Sequence, residues 1–262
     1  MPLIDSHCHF DFDAFAEDRE QVWANCQRLG MRALGIPGVS IPQWRSLFAM
    51  VNSREGWFGA AGVHPWWVSE LSTAPQQVCR AVIERVERER REDAGRCVAV
   101  GECGLDGNID LPLEKQLPVF EAQLDAANRL SLPVIVHSVR AHGEVICALK
   151  NARVKKAGVI HAFSGSREIA EEYLKLGFCL GVGGTVTYER AAKTRKTLAG
   201  VPLESLLLES DAPDMPHAGR QGERNSPEYL PAVAQTLAAL RDISVETVIA
   251  QTGKNAQALF AL

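Results

Sequence analysis

The chain has 262 residues, 46% hydrophobic and 23% charged, enough to bury a substantial core, and barrel folds of roughly 250 residues commonly form a single domain. Its 28 Lys and Arg against 32 Asp and Glu leave a net charge of -4, which excludes a global positive field that would draw in nucleic acid or an anionic membrane. Seven cysteines, scattered and without a Cys-x-x-Cys pair, argue against a disulfide framework and a thiolate zinc site; with no leader and no long apolar run, the expectation is a soluble, cytoplasmic protein.

Short apolar, β-branched stretches recur at 3–5, 33–36, 57–63, 97–101, 132–136, 157–161, 178–182 and 206–210. Near-continuous apolar runs of this length suit strands buried on both faces of a parallel sheet. Longer segments with helical spacing separate them. From 75 to 94, Val78, Val82 and Val86 recur every fourth residue, and the run ERERRED at 87–93 reads as a solvated helix end. From 114 to 130, Leu117, Phe120, Leu124 and Ala127 fall on one face, and Pro118 fits this helix only in its first turn. Ser226-Pro227-Glu228 reads as an N-cap followed by proline at the first helical position. Eight strands alternating with helices indicate an α/β fold, a (β/α)8 TIM-type barrel forming one domain over residues 1–262, with a doubly wound open sheet as the alternative.

The stretch IDSHCHF at 4–10 places His7 and His9 two apart, so that on a strand both point to one side while Cys8 turns away. Four further apolar runs end in a residue able to ligate metal: Glu102, His137, His161 and Asp211. The C-terminal strand ends of a barrel open onto one face, where active sites are built, so these six residues are the expected ligands. Four imidazoles and two carboxylates exceed the set for one tetrahedral zinc, which implies two divalent ions; Glu102 is the best bridge, and zinc, magnesium or manganese all suit nitrogen and oxygen donors.

The chain resembles the TatD family of metal-dependent hydrolases, within the amidohydrolase-like barrels. The matching stretches are IDSHCHF, GVHPWW (62–67), VGECGLD (100–106), LPVIVHS (132–138), HAFSG (161–165), ESDAP (209–213) and RNSPEYL (224–230). On the family pattern one ion would take His7, His9, Glu102 and Asp211, and the other Glu102, His137 and His161. The resemblance implies a deoxyribonuclease cleaving phosphodiester bonds from a 3' end, although other members are assigned to other hydrolyses, including D-aminoacyl-tRNA deacylation. Members often carry an aromatic residue after Gly-Leu-Asp; here Asp106 is followed by Gly107-Asn108, which puts nucleotide preference in question.

The expected mechanism uses a metal-bridging hydroxide that attacks phosphorus, with Glu102 and Asp211 as catalytic ligands and Asp211 as proton acceptor. His64 is a candidate phosphate contact or leaving-group proton donor. Trp66 and Trp67 either stack on a base or pack the loop, and Arg140, Arg167, Arg220 and Arg224 offer local positive charge or are plain surface arginines. Gly181-Val182-Gly183-Gly184 lacks a phosphate-loop signature and reads as a tight turn, and Asn225 as a turn or capping residue. Two alternatives stay open: hydrolysis of a small ester or amide, and a metal-stabilised binding protein without catalysis. No membrane association and no protein partner are expected.

Overall fold

The computed structural model describes residues 2–92 and 95–262. In chain order the elements are β1 (Leu3–Asp5), α1 (Arg19–Arg28), β2 (Met31–Pro37), α2 (Trp44–Asn52), β3 (Trp57–Ala61), α3 (Pro75–Glu92), β4 (Cys97–Asp106), α4 (Leu113–Leu130) and β5 (Val134–Val139). They continue through α5 (His142–Ala152), β6 (Val159–Ile160), α6 (Arg167–Lys175), β7 (Cys179–Val182), α7 (Ala192–Gly200), β8 (Leu206–Leu208), α8 (Leu230–Arg241) and α9 (Val245–Phe260). Each expected strand is present, and the sheet runs β1 to β8 in chain order, as a (β/α)8 fold requires. The end of the charged run, at 93, and the last two residues of the helix expected over 75–94 lie outside the described residues.

Two compact units divide the chain: Met1–Ile36, Ala162–Lys175 and Cys179–Leu262 form the first, and Pro37–His161 with Leu176–Phe178 the second. In the first, β1 pairs in parallel with β2, and β7 with β8. Leu3, Ile4, Leu34, Leu180, Leu206 and Leu207 are buried, so these strands owe their place to apolar surface removed from water. Helix α9 packs on β1 and β8, and its Asn255 donates from Nδ2 to the carbonyls of Leu203 and Leu206, fixing the start of β8.

In the second unit β3, β4, β5 and β6 pair in parallel. Val100 lies opposite Val134 and Cys103 opposite Val136, so three steps on β4 match two on β5. Such a bulge re-aims side chains, and Glu102 sits inside it. Gly104 (φ 148°) lies opposite His137, and a Cβ there would collide with the His137 carbonyl.

Two local expectations are corrected. Pro118 lies beyond the first turn of α4; it and Glu114, whose carbonyl it leaves without a helical donor, are both exposed, so water can serve that carbonyl. The Gly181–Gly184 stretch is not a tight turn: Gly181 belongs to β7 and Gly184 opens a short 3-10 helix. The glycines serve close approach, since a Cβ on Gly181 would strike the Glu209 carboxylate and one on Gly184 the Met215 carbonyl.

Between β5 and β6 the backbone of Gly158 approaches Val134 so closely that an added Cβ would overlap the Val134 carbonyl. Gly158→Ala is expected to destabilise the protein by about 3 kcal/mol, the upper part of the range for overpacked cores. A lower urea midpoint at unchanged slope is the measurement that checks this.

Candidate metal centre

In the first unit, main-chain bonds lace the segments beyond β1 and β8. Ser6 N donates to Leu208 O, Asp211 N to His7 O, and His9 N to Ala212 O, while Cys8 Sγ turns away to Ala212 O. Buried Asp5 joins both segments, accepting at Oδ1 from His7 N and Ser210 N. Burial pushes the Asp5 carboxyl up to about 7, against the pull of its Ser210 and His7 bonds. Asn225 is a buried staple for the same loop, donating from Nδ2 to Ser210 O and Asp214 O and accepting from Ser226 N, which bears out its expected local duty.

This lacing brings His7, His9 and Asp211 together. His7 Nε2 and His9 Nε2 are 3.4 Å apart, and each lies 3.6 Å from Asp211 Oδ1. The centre of that triangle is about 2.0 Å from every corner, the length of a zinc–nitrogen or zinc–oxygen bond. Two imidazole nitrogens and a carboxylate oxygen, all buried, therefore fit a divalent cation by chemistry and by spacing. Asp211 holds the left-handed region at φ 56°, a strain of order 1 kcal/mol that aims its carboxylate inward.

In the second unit Glu102, His137 and His64 form another group. His137 Nδ1 is 3.0 Å from Glu102 Oε1, and His137 Nε2 is 3.0 Å from Asp106 Oδ2. Burial opposes protonation of His137, but its bonds to Asp106 and Glu102 prevail and hold its pKa up to about 9. Asp106 moves the other way: burial raises it, yet bonds from His137, Trp66 and Asn108 bring it down to about 2. His161, immediately after β6, is buried and lies close enough for its charge to act against protonation of His137.

His64 Nδ1 accepts from Trp66 N at 3.1 Å, so the neutral ring carries its proton on Nε2, 3.5 Å from Glu102 Oε1. A ring in that state donates and does not ligate. Gln123 sets this loop from α4 by accepting from Val63 N and donating to Val63 O. Seven residues earlier on the same helix, Gln116 clasps Asp106 N and Asp106 O in the same way.

A model of the family described as TatD related DNase matches residues 4–261. The chain belongs to this family. It is 38% identical over 259 residues, covering 98% of this chain and 97% of the relative, to the uncharacterized metal-dependent hydrolase YjjV of Escherichia coli. It is 35% identical, over 95% of each chain, to a protein of Pantoea named 3'-5' ssDNA/RNA exonuclease TatD. The crystal structure of Escherichia coli YjjV superposes with a TM-score of 0.91, covering 99% of this chain and 98% of that one at 37% identity. The protein is thus a TatD-family metal-dependent hydrolase with the (β/α)8 fold, as its motifs imply.

The remaining expected site residues of this TatD-family chain divide by what already holds them. Trp66 is 54% exposed, but its indole Nε1 donates to Asp106 Oδ2 at 2.8 Å, a role outside both base stacking and simple packing. Arg140 is exposed and makes no ion pair among the described residues. Arg224 already clamps a loop: its guanidinium forms two bonds to Asp18, at 2.8 and 2.6 Å, and covers the Phe15 ring. Arg167 and Arg220 pair with Glu171 and Glu223. No helix among the described residues is long and apolar enough to cross a membrane.

Sequence reasoning missed Asp106, Gln116, Gln123 and Glu209. Asp106 ends β4 and carried the same strand-end signal as Glu102, whereas a glutamine on a helix resembles any solvated one. Glu209, fully buried, accepts from Ala162 N.

A raised pKa on His137 has a defined consequence for metal-free protein. Its contribution to stability is full below the ordinary value of 6.5 and is lost as pH climbs through about 9. In the presence of chelator, the melting-temperature advantage of wild type over His137→Asn is expected to be largest below pH 6.5 and to shrink toward pH 9 and above, measured by calorimetry across that range.

Proposed function

We propose that this TatD-family hydrolase cleaves phosphodiester bonds of single-stranded DNA from the 3' end with two divalent ions. The observation that carries this is the His7, His9 and Asp211 triangle, whose spacing suits a metal ion. The name of the Pantoea relative supports the substrate class. His7, His9 and Asp211 would hold one ion; Glu102, His137 and His161 would hold the other. Zinc, magnesium and manganese each suit these nitrogen and oxygen donors. One domain over residues 1–262 is supported by the family match to residues 4–261, and a cytoplasmic setting by the seven free cysteine thiols.

When bound, such ions lower the pKa of water and offset the charge of a phosphate in transition. The protein supplies the rest. Asp211, strained toward its two histidines, takes up the proton released by the attacking water. His64, whose proton sits on Nε2, donates it to a phosphate oxygen or to the leaving group. The exposed ring of Trp66 offers a face on which any base can stack, and Arg140 adds a positive charge near the end of β5.

Cleavage of end-labelled single-stranded DNA by protein reloaded with magnesium, manganese or zinc tests this. A ladder shortening from the 3' end is expected, reduced by about 100-fold or more in Asp211→Asn, on the scale of losing one electrostatic catalytic group. DNA left intact under every metal while a simple carboxylic ester is hydrolysed would replace the phosphodiester with a carbonyl substrate.

A further inference from the structure

Asp106 is held at both carboxylate oxygens although it is not one of the expected ligands. Oδ1 accepts from Asn108 N at 2.8 Å. Oδ2 accepts from the Trp66 indole at 2.8 Å and faces His137 Nε2 at 3.0 Å. Its main chain is clasped by Gln116, which accepts from Asp106 N at 2.8 Å, donates to Asp106 O at 2.9 Å, and donates to Leu111 O at 2.6 Å. Three partners thus hold the carboxylate and Gln116 holds the main chain, and Asp106 itself is buried.

An ionised carboxylate only accepts hydrogen bonds, and an indole N–H only donates. With Oδ2 serving both rings, the proton shared with His137 belongs on His137 Nε2. The neutral imidazole then presents the lone pair of Nδ1, which points toward Glu102 Oε1 at 3.0 Å. Two electron-pair donors set face to face at that distance suit a cation between them, and outer carboxylates of this kind fix the ring and tautomer of a ligating histidine.

We infer that Asp106, braced by Trp66 and Gln116, is a positioning residue that locks His137 as its Nε2–H tautomer and presents Nδ1 for metal binding. This rests on His137 being a ligand, as proposed above, and assigns Trp66 a duty separate from any contact with substrate. Asp106 touches neither substrate nor the reacting atoms; it acts through His137.

Zinc affinities measured by competition with a chromophoric chelator, together with ring-nitrogen spectra of zinc-loaded protein carrying 15N-labelled histidine, test the assignment. Wild type is expected to bind two zinc ions and to show His137 protonated at Nε2. Asp106→Ala is expected to lose affinity for one ion by about 10- to 100-fold, to keep the other unchanged, and to lose the defined Nε2–H signal. Trp66→Phe, which keeps the ring and removes the donor, should weaken the same ion by less. If Asp106→Ala does not fold, Asp106→Asn carries the test, since the amide keeps one acceptor for His137 and should restore the tautomer with part of the affinity. Undiminished affinity for both zinc ions with an unchanged His137 tautomer in Asp106→Ala, or undiminished affinity for both ions in Asp106→Asn, would overturn the inference and leave the metal centre intact. Wild type that binds no zinc would overturn the metal centre as well, so the two failures are distinguishable without measuring any hydrolysis.

Discussion

Carboxylates are costly to bury, and this protein buries Asp5, Glu102, Asp106, Glu209 and Asp211 in or just beyond its strands. The cost is met by main-chain N–H groups, by imidazoles, and at the expected ligands by whatever cation they gather. Asp5 and Glu209 show the first solution, each accepting from the backbone of a neighbouring segment. Asp106 and His137 show the second, where opposite shifts in acidity express one shared proton. The spacing of the His7, His9 and Asp211 group suits the third, and the main-chain bonds beyond β1 and β8 hold its three donor atoms together.

That arrangement depends on backbone placed against backbone. Gly104 faces His137 at a position where a side chain would collide, Gly181 does the same for Glu209, and a bulge in β4 turns Glu102. Two buried glutamines on α4 then clasp Val63 and Asp106 by both peptide groups. These amides are neutral, so they position neighbouring groups without adding net charge.

Much of this was legible in the chain itself. Apolar runs marked every strand because burial on both faces leaves an unbroken signature, and metal-capable residues at the ends of five of the eight runs marked the expected ligands. Strand ends were less legible. β4 continues to Asp106 past Gly101 and Gly104, which read as breaks in the sequence but permit close pairing in the fold. Partner choice was hidden altogether: nothing in the residue pattern shows that Arg224 is taken by Asp18, or that the Trp66 indole reaches Asp106. Such pairings arise only once separate loops are brought side by side.

The lacing beyond β1 and β8 also sets an order of assembly. Ser6 bonds to Leu208 and Cys8 to Ala212, separations of 202 and 204 residues, so the His7, His9 and Asp211 group closes only after the segment carrying Asp211 and Ala212 has left the ribosome. Residues 64 to 161, which carry His64, Glu102, Asp106, His137 and His161, emerge as one continuous stretch long before. A nascent chain thus carries every member of the interior group before Asp211 can join His7 and His9.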